Sequence, residues 1–199
     1  MGLAVGILGG AFDPPHNGHV ALARTAIAHF ELDELLVRVV ADPGHKSVAA
    51  DAADRLALAR MAFAGIDGVE VALDPFGRTV DSLEALDLDN PVFLVGADEF
   101  ASFLDWKAPE RVLELARLGV ATRPGYARHA LDDVLAQLSH PERVEPFELE
   151  PFPISSSELR ARLARGDSLD RLVPSRVADE IGRQGLYLAR HGYTENGCS

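Results

Sequence analysis

The segment LAVGILGGAFDPPHNGHV, residues 3–20, passes from a short apolar run through a glycine-rich loop into a stretch with helical spacing. The β-rich apolar run at residues 3–8 predicts a strand, and the spacing of residues 19–30 predicts a helix. Strand, loop and helix in this order form the opening unit of an α/β fold. In a parallel sheet, the loop at the carboxyl end of such a strand is a place where ligands bind.

The same alternation of strands and helices continues along the chain. Further strands are predicted at 35–40, 69–73, 92–95, 118–121 and 143–149. Further helices are predicted at 51–64, 79–86, 109–116, 130–138, 155–164 and 174–183. This pattern predicts an α/β fold with a Rossmann-like, doubly wound parallel sheet. We expect residues 1–187 to form a single domain with a helical C-terminal part from about residue 155, followed by a tail at 188–199.

The charge and composition of the 199 residues exclude several classes of protein. With 19 Lys plus Arg against 31 Asp plus Glu, the formal net charge is −12, which disfavours nonspecific binding to nucleic acid or to an anionic membrane. An apolar share of 47% is typical of a globular protein. The single cysteine, Cys198, excludes an intrachain disulfide. Because no signal peptide or membrane span is recognisable, we expect a cytoplasmic protein, and a homo-oligomer is compatible with the sequence.

Two histidines mark the loop after the first strand as a candidate phosphate site. His16 and His19 are three residues apart at a predicted helix start, so both imidazoles can face one ligand. The preceding Gly9 and Gly10 let backbone N–H groups approach a phosphate closely. The spacing is neither that of a dinucleotide fingerprint nor that of a Walker loop. Two alternatives stay open: the histidines cap or pack against the helix, or they bind a metal together with Asp13.

A second candidate anion site is the segment PFPISSSELR, residues 151–160. Ser155 and Glu158 have capping-box spacing, which predicts a well-capped helix start. The neighbouring hydroxyls, the free N–H groups and Arg160 also form an oxyanion cradle, and the two interpretations are compatible. Lys46, one of two lysines beside 17 arginines, lies in the loop after the second strand, where an ammonium suits a phosphate chain. A solvated surface lysine is the alternative.

Together these two motifs resemble the nucleotidyltransferase superfamily, which includes adenylyl- and cytidylyltransferases. The segments that carry the resemblance are GGAFDPPHNGH at 9–19 and ISSSELR at 154–160. Intermediate segments are similar to the nicotinate-nucleotide adenylyltransferase family: GAD at 96–98 followed by Trp106, TRPG at 122–125, and the ending from 173 to 187. The resemblance covers residues 3–187.

The resemblance implies adenylyl transfer from ATP to nicotinate mononucleotide, giving nicotinate adenine dinucleotide and pyrophosphate in NAD biosynthesis. Mg²⁺ would accompany the ATP phosphates and need few protein ligands. The implied catalytic residues are His16, His19, Lys46 and Arg160. The implied ATP-binding residues are Gly9, Gly10, Phe12, His16, Gly18, His19, Gly96, Asp98, Ile154, Ser155, Ser156 and Arg160. The implied mononucleotide-binding residues are Lys46, Thr79, Trp106 and Arg123.

Three of these residues have structural alternatives. The resemblance implies that Asp98 contacts the ribose hydroxyls of adenosine, but it could equally cap the next helix. Trp106 is implied to stack on the pyridine ring of the mononucleotide, although a core tryptophan is the commoner explanation. Thr79 matches the nicotinate-recognition segment, but it could equally be the N-cap of the predicted third helix.

Several positions depart from the family pattern and keep other functions open. Arg78 stands where the family usually has tyrosine, Gly44 where it prefers a second proline, and Lys107 where an aromatic or histidine often follows the tryptophan. Arg78 or Lys107 can pair with a nicotinate carboxylate or with a different anion. The alternatives are transfer to nicotinamide mononucleotide or another phosphorylated acceptor, use of CTP, and a non-catalytic nucleotide-binding relative. The segment RHGYTE at 190–195 resembles the start of histidine phosphatases and is expected to be a coincidence or a fusion remnant.

Overall fold

The computed structural model describes residues 2–44, 48–123 and 129–188, with the backbone alone at 129 and 130. The strands are β1 (Val5–Gly10), β2 (Glu34–Val40), β3 (Val69–Asp74), β4 (Val92–Gly96), β5 (Arg117–Thr122) and β6 (Val144–Glu148). The α-helices are α1 (Asn17–His29), α2 (Ala52–Phe63), α3 (Thr79–Leu86), α4 (Ala97–Phe100), α5 (Pro109–Leu115), α6 (His129–Leu135), α7 (Ser156–Arg165) and α8 (Ser175–Gln184). Short 3-10 turns lie at Phe103–Asp105 and Pro141–Arg143.

The strands form one parallel sheet in the order β3-β2-β1-β4-β5-β6. The chain starts near the centre of the sheet, builds outward to the β3 edge, returns to the centre and then builds outward to the β6 edge. The direction reverses between β1 and β4, and at such a point the carboxyl ends of the strands leave a crevice for a ligand. The predicted doubly wound α/β fold is confirmed, and the strand predicted at 143–149 is the edge strand β6.

Two apolar layers cover the two faces of the sheet, because neighbouring residues of a strand point to opposite sides. Leu8 packs in a layer with α1, α2, α7 and α8, whereas its neighbour Ile7 packs in a layer with α3, α4, α5 and α6. The central strands are therefore buried on both faces, which is why they are continuous apolar runs in the sequence. The C-terminal helices α7 and α8 share the core of α1 and α2.

The segment that follows β4 and the start of α3 differ from the prediction. The spacing predicts no helix between residues 86 and 109, but Ala97–Phe100 form a single helical turn. One turn is too short for repeated apolar spacing, so periodicity gives no signal for it. At α3, Arg78 holds the N-cap position and Thr79 is the first helical residue, so the N-cap alternative for Thr79 is wrong.

In the described part of the chain, every helix is too short or too polar to cross a membrane. The RHGYTE segment at 190–195 lies outside the described residues, as does the predicted tail apart from Leu188.

Candidate functional site

A cleft of about 860 Å³ opens at the carboxyl ends of the strands, over the crevice between β1 and β4. Its walls come from the loop after β1, the start of α3, the end of β4, the segment around residue 106 and the start of α7. This volume is near the upper end of the range of about 300–1,000 Å³ for small-molecule sites. The cleft is therefore large enough for more than one small ligand.

The cleft brings together the two motifs singled out in the sequence. Of the predicted site residues, the first motif contributes Gly9, Gly10, Phe12 and His19 to the cleft wall, and the second contributes Ser155, Ser156 and Arg160. Three further predicted residues line it between the motifs, namely Thr79, Gly96 and Trp106. The predicted residues that are described but do not line it are His16, Gly18, Asp98, Arg123 and Ile154. Lys46 lies outside the described residues.

The two predicted histidines form a stacked pair, of which only His19 lines the cleft. Their ring centroids are 3.7 Å apart, with an angle of 27° between the planes. The backbone N–H of His16 donates a hydrogen bond of 3.1 Å to Nδ1 of His19. Because Nδ1 accepts, the proton of a neutral His19 ring resides on Nε2, and this tautomer follows from the hydrogen bond. His19 is thereby a preoriented hydrogen-bond donor in the cleft wall.

His16 supports this arrangement from a buried position, with 9% of its surface exposed. It holds the N-cap position of α1 with an extended backbone, φ −141° and ψ 171°. Burial lowers the pKa of His16 from 6.5 to about 4, so the ring is neutral at pH 7. Among the described residues its Nδ1 has no hydrogen-bond partner. Gly18 makes room for the ring, since a Cβ at residue 18 would lie 2.9 Å from this nitrogen.

The carboxylate of Asp13 binds protein donors and does not complete a metal site. It is 2% exposed and accepts hydrogen bonds from the backbone N–H groups of Ala49 at 2.7 Å and Ala50 at 3.1 Å. The hydroxyl of Tyr187 donates a third, at 2.9 Å. Within the described ranges no three His, Cys, Asp or Glu side chains lie close enough to hold a metal ion. The alternative of a metal bound by Asp13 and the two histidines therefore lacks a ligand set there.

The start of α7 is both capped and joined to the first motif. The hydroxyl of Ser155 accepts from the N–H of Glu158 at 3.2 Å, so the predicted cap is present. The hydroxyl of Ser156 donates to the carbonyl of Pro14 at 2.8 Å. Arg160 donates through Nη1 to the carbonyl of Asp13 at 2.7 Å and through Nη2 to the hydroxyl of Ser157 at 3.2 Å. These bonds fix Arg160 in the cleft wall and leave further N–H donors for an anion.

The opposite wall of the cleft carries Trp106 and two cations that differ in their pairing. The half-buried ring of Trp106 packs edge-on against Phe103, so the tryptophan contacts the core and lines the cleft at once. Lys107 binds both carboxylate oxygens of Asp81, at 2.6 and 2.9 Å. Arg78 lines the cleft and is exposed, and within the described residues no ion pair joins it to an acidic side chain.

Asp98 and Arg123 form an exposed pair at a distance of 3.3 Å, with 83% and 69% of their side chains exposed. Gly96, and not Asp98, holds the N-cap position of α4, so the helix-cap alternative for Asp98 is wrong. A Cβ at Gly96 would meet no atom within 4 Å, so the backbone there borders open space in the cleft wall. Ile154 packs against the core layer of α7.

Arg55, which no sequence motif indicates, holds together the backbone at the carboxyl ends of β1 and β2, which forms the floor of the cleft. Its guanidinium is 1% exposed and donates to four backbone carbonyls at the ends of β1 and β2 and before α2. The acceptors are Ala50 at 3.2 Å, Ala11 at 2.8 Å, Val40 at 2.8 Å and Ala41 at 2.7 Å. A signal was present in the sequence: Arg55 has helical spacing with the buried Leu58, Ala59 and Ala62. An arginine on an apolar helix face needs buried partners.

The cytidylyltransferase-like family model matches residues 7–162. A Bordetella avium protein named "probable nicotinate-nucleotide adenylyltransferase" is 39% identical over 193 residues, which cover 92% of this chain and 97% of that protein. A Rubrobacter xylanophilus protein of the same name is 34% identical, with coverage of 94% and 93%. A solved structure of Plasmodium falciparum nicotinic acid mononucleotide adenylyltransferase complexed with NaAD has a TM-score of 0.75 at 17% identity, covering 94% and 98%. That likeness supports the fold.

Proposed function

The chain belongs to the cytidylyltransferase-like family, and from this we propose that it transfers the adenylyl group of ATP to nicotinate mononucleotide. The products are nicotinate adenine dinucleotide and pyrophosphate, which makes the reaction a step of NAD biosynthesis. Relatives named for this activity match almost the whole chain, and this supports the choice of substrates. We propose that the protein acts on these small molecules in the cytoplasm and binds neither nucleic acid nor a membrane.

The observation that carries the proposal is that His19 and Arg160 line one cleft with Thr79 and Trp106. His19 supplies a hydrogen-bond donor from the first motif, and Arg160 supplies donors from the second. Thr79 and Trp106 supply a hydroxyl and an aromatic ring, which suit a nucleotide base and its sugar. A single cleft with phosphate-binding and aromatic walls is what transfer between two nucleotides requires.

The proposed chemistry is in-line displacement at the α-phosphorus of ATP. A phosphate oxygen of the mononucleotide forms the new bond to phosphorus, and the bond from phosphorus to the bridging oxygen of the pyrophosphate breaks. The acceptor phosphate is already anionic, so neither a base nor a covalent enzyme intermediate is needed. Catalysis then depends on positioning and on donors that stabilise the charge on phosphate oxygens. The Nε2–H of His19 and the free N–H groups of Arg160 are such donors.

Mg²⁺ would enter as part of MgATP. The described residues offer no cluster of three His, Cys, Asp or Glu side chains. A cation that prefers water and phosphate oxygens fits this donor set. The magnesium would neutralise charge on the triphosphate, while the protein holds the triphosphate through its own donors.

The remaining predicted residues have proposed roles around these donors. Ser155, Ser156 and Lys46 would hold the triphosphate and the departing pyrophosphate with Arg160, while His16 would keep His19 in place. The backbone of Gly9 and Gly10, with Phe12 and Gly18 shaping the loop, would approach the ATP phosphates. At the rim, the paired Asp98 and Arg123 would contact ribose hydroxyls and the mononucleotide.

In the presence of Mg²⁺, we expect the protein to release pyrophosphate from ATP only when nicotinate mononucleotide is added. Parallel reactions with nicotinamide mononucleotide and with no acceptor provide the controls, and product is identified by chromatography. A faster reaction with nicotinamide mononucleotide would show that this compound, and not nicotinate mononucleotide, is the preferred acceptor. Binding of ATP without release for either mononucleotide would contradict the proposal and favour another phosphorylated acceptor or a non-catalytic relative.

Replacement of Arg78 by glutamine should lower kcat/KM for nicotinate mononucleotide by about tenfold. Arg78 is the cleft cation whose charge no described acidic side chain neutralises, whereas Lys107 is paired with Asp81. A hydrogen bond to a charged group contributes about 1.5–3 kcal/mol, and we take the lower end because Arg78 is exposed. With nicotinamide mononucleotide, which has no carboxylate, kcat/KM should change little. Steady-state kinetics with both mononucleotides measure the ratio of their kcat/KM values.

The matched control for this prediction is Arg176→Gln, which removes an exposed arginine from α8. This variant should leave the ratio of the two kcat/KM values unchanged. Equal losses for both acceptors in Arg78→Gln would show that the guanidinium does not recognise the carboxylate.

A further inference from the structure

Tyr187, close to the end of the described chain, reaches the first motif through Asp13. Its hydroxyl donates to Oδ1 of Asp13 at 2.9 Å, across 174 residues of sequence. Burial, reinforced by the negative charge of Asp13, raises the pKa of Tyr187, so the phenol keeps its proton and remains a donor. The segment after α8 is thus joined to the loop that precedes His16 and His19.

Asp13 stands between Tyr187 and the cleft arginine. Nη1 of Arg160 is 3.5 Å from Oδ2 of Asp13, longer than the roughly 2.7–2.9 Å of a strong charge-assisted hydrogen bond. The same nitrogen instead donates to the backbone carbonyl of Asp13 at 2.7 Å. The carboxylate has its short bonds with the backbone N–H groups of Ala49 and Ala50 and with Tyr187. Its charge is therefore satisfied mainly by groups other than Arg160.

We propose that Tyr187 is a positioning residue for the triphosphate of ATP, acting through Asp13 and Arg160. By donating to Asp13, the phenol keeps this buried carboxylate from forming a tight ion pair with Arg160. The guanidinium is charged in either case, but without a tight ion pair its charge is less compensated and its remaining N–H groups stay available for a phosphate in the cleft that it lines. This inference rests on the proposed function for the identity of the ligand.

The test is the substitution Tyr187→Phe, which removes the hydroxyl and keeps the ring. Without this donor, Asp13 should pair more closely with Arg160, so we expect the KM for ATP and the Kd for MgATP to rise about three- to tenfold. The KM for nicotinate mononucleotide should stay within about twofold, since Arg160 is assigned to the triphosphate. Isothermal titration with MgATP alone measures the Kd, and circular dichroism confirms that the variant is folded.

A second pair of variants separates positioning from general loosening of the fold. In an Arg160→Gln background, Tyr187→Phe should cause no further loss of MgATP affinity, because its effect requires the arginine. An equal loss in both backgrounds, or a parallel rise of both KM values, would overturn the inference. So would unchanged MgATP affinity in folded Tyr187→Phe. If the wild-type protein itself fails to bind MgATP, the proposed function fails instead, and the two failures are thereby distinguished.

Discussion

Replacement of His19 by alanine is expected to lower kcat by about 10²–10³ while the protein stays folded. His19 lines the cleft, and the bond from the N–H of His16 to its Nδ1 leaves Nε2 as the donor. A donor that strengthens its bond as charge develops on phosphate oxygens contributes about 2.7–4 kcal/mol to the transition state. The ring contributes less to the fold, since His19 is only partly buried. Pyrophosphate release under saturating ATP and mononucleotide measures kcat.

The control for this variant is His140→Ala, which removes an exposed histidine paired with Glu142. His140 precedes β6, so it lies at the amino end of that strand, whereas the cleft lies at the carboxyl ends of the strands. Its turnover should equal that of the wild-type protein. Thermal unfolding of both variants shows whether each is folded. A folded His19→Ala protein with wild-type turnover would remove His19 from the proposed mechanism.

Replacement of Arg55 by methionine is expected to destabilise the protein by about 3 kcal/mol or more. The guanidinium is buried and donates to four backbone carbonyls, and methionine fills the space without any donor. Each buried polar group left without a partner costs about 1–3 kcal/mol. For a chain of this size, 1 kcal/mol lowers Tm by about 2–4 °C, so we expect a loss of about 6–12 °C. Thermal and urea unfolding measure the change.

Arg60→Met is the matched control, because Arg60 is an exposed arginine on the same helix, α2. Its Nε makes one long contact of 3.4 Å to the carbonyl of Val71, so its loss should cost little. Equal melting temperatures for the two variants would show that the carbonyls around Arg55 do not depend on its guanidinium.

The order of elements could be predicted from the sequence because each strand or helix has its own local pattern. The strand predicted at 69–73 is Val69–Asp74 in the structure, and the helix predicted at 79–86 is Thr79–Leu86. The short helix Ala97–Phe100 escaped prediction because it has no period to detect. The pairing of Asp13 with Tyr187 escaped prediction for a different reason. Local spacing carries no information about which distant segments meet in the folded chain.

The histidine pair shows a limit of spacing within a single motif. Two residues three apart share a face only when both are helical. His16 has the extended backbone of an N-cap residue, and the helix begins one residue later, at Asn17. The rings therefore stack on each other, with His19 in the cleft wall and His16 buried beside it. The residue types indicated phosphate chemistry, but only the structure separates the residue that lines the cleft from the residue that supports it.

The anchoring of the cleft floor by Arg55 has a consequence for how such a site can diversify. Its four acceptors are main-chain carbonyls, which every amino acid provides. Substitutions at positions 11 and 40, which line the cleft, can therefore change the side chains around a ligand without removing a carbonyl that Arg55 binds. The backbone of these loops can therefore keep its conformation while the loop sequences change. Specificity for a different substrate can then evolve on the same fold.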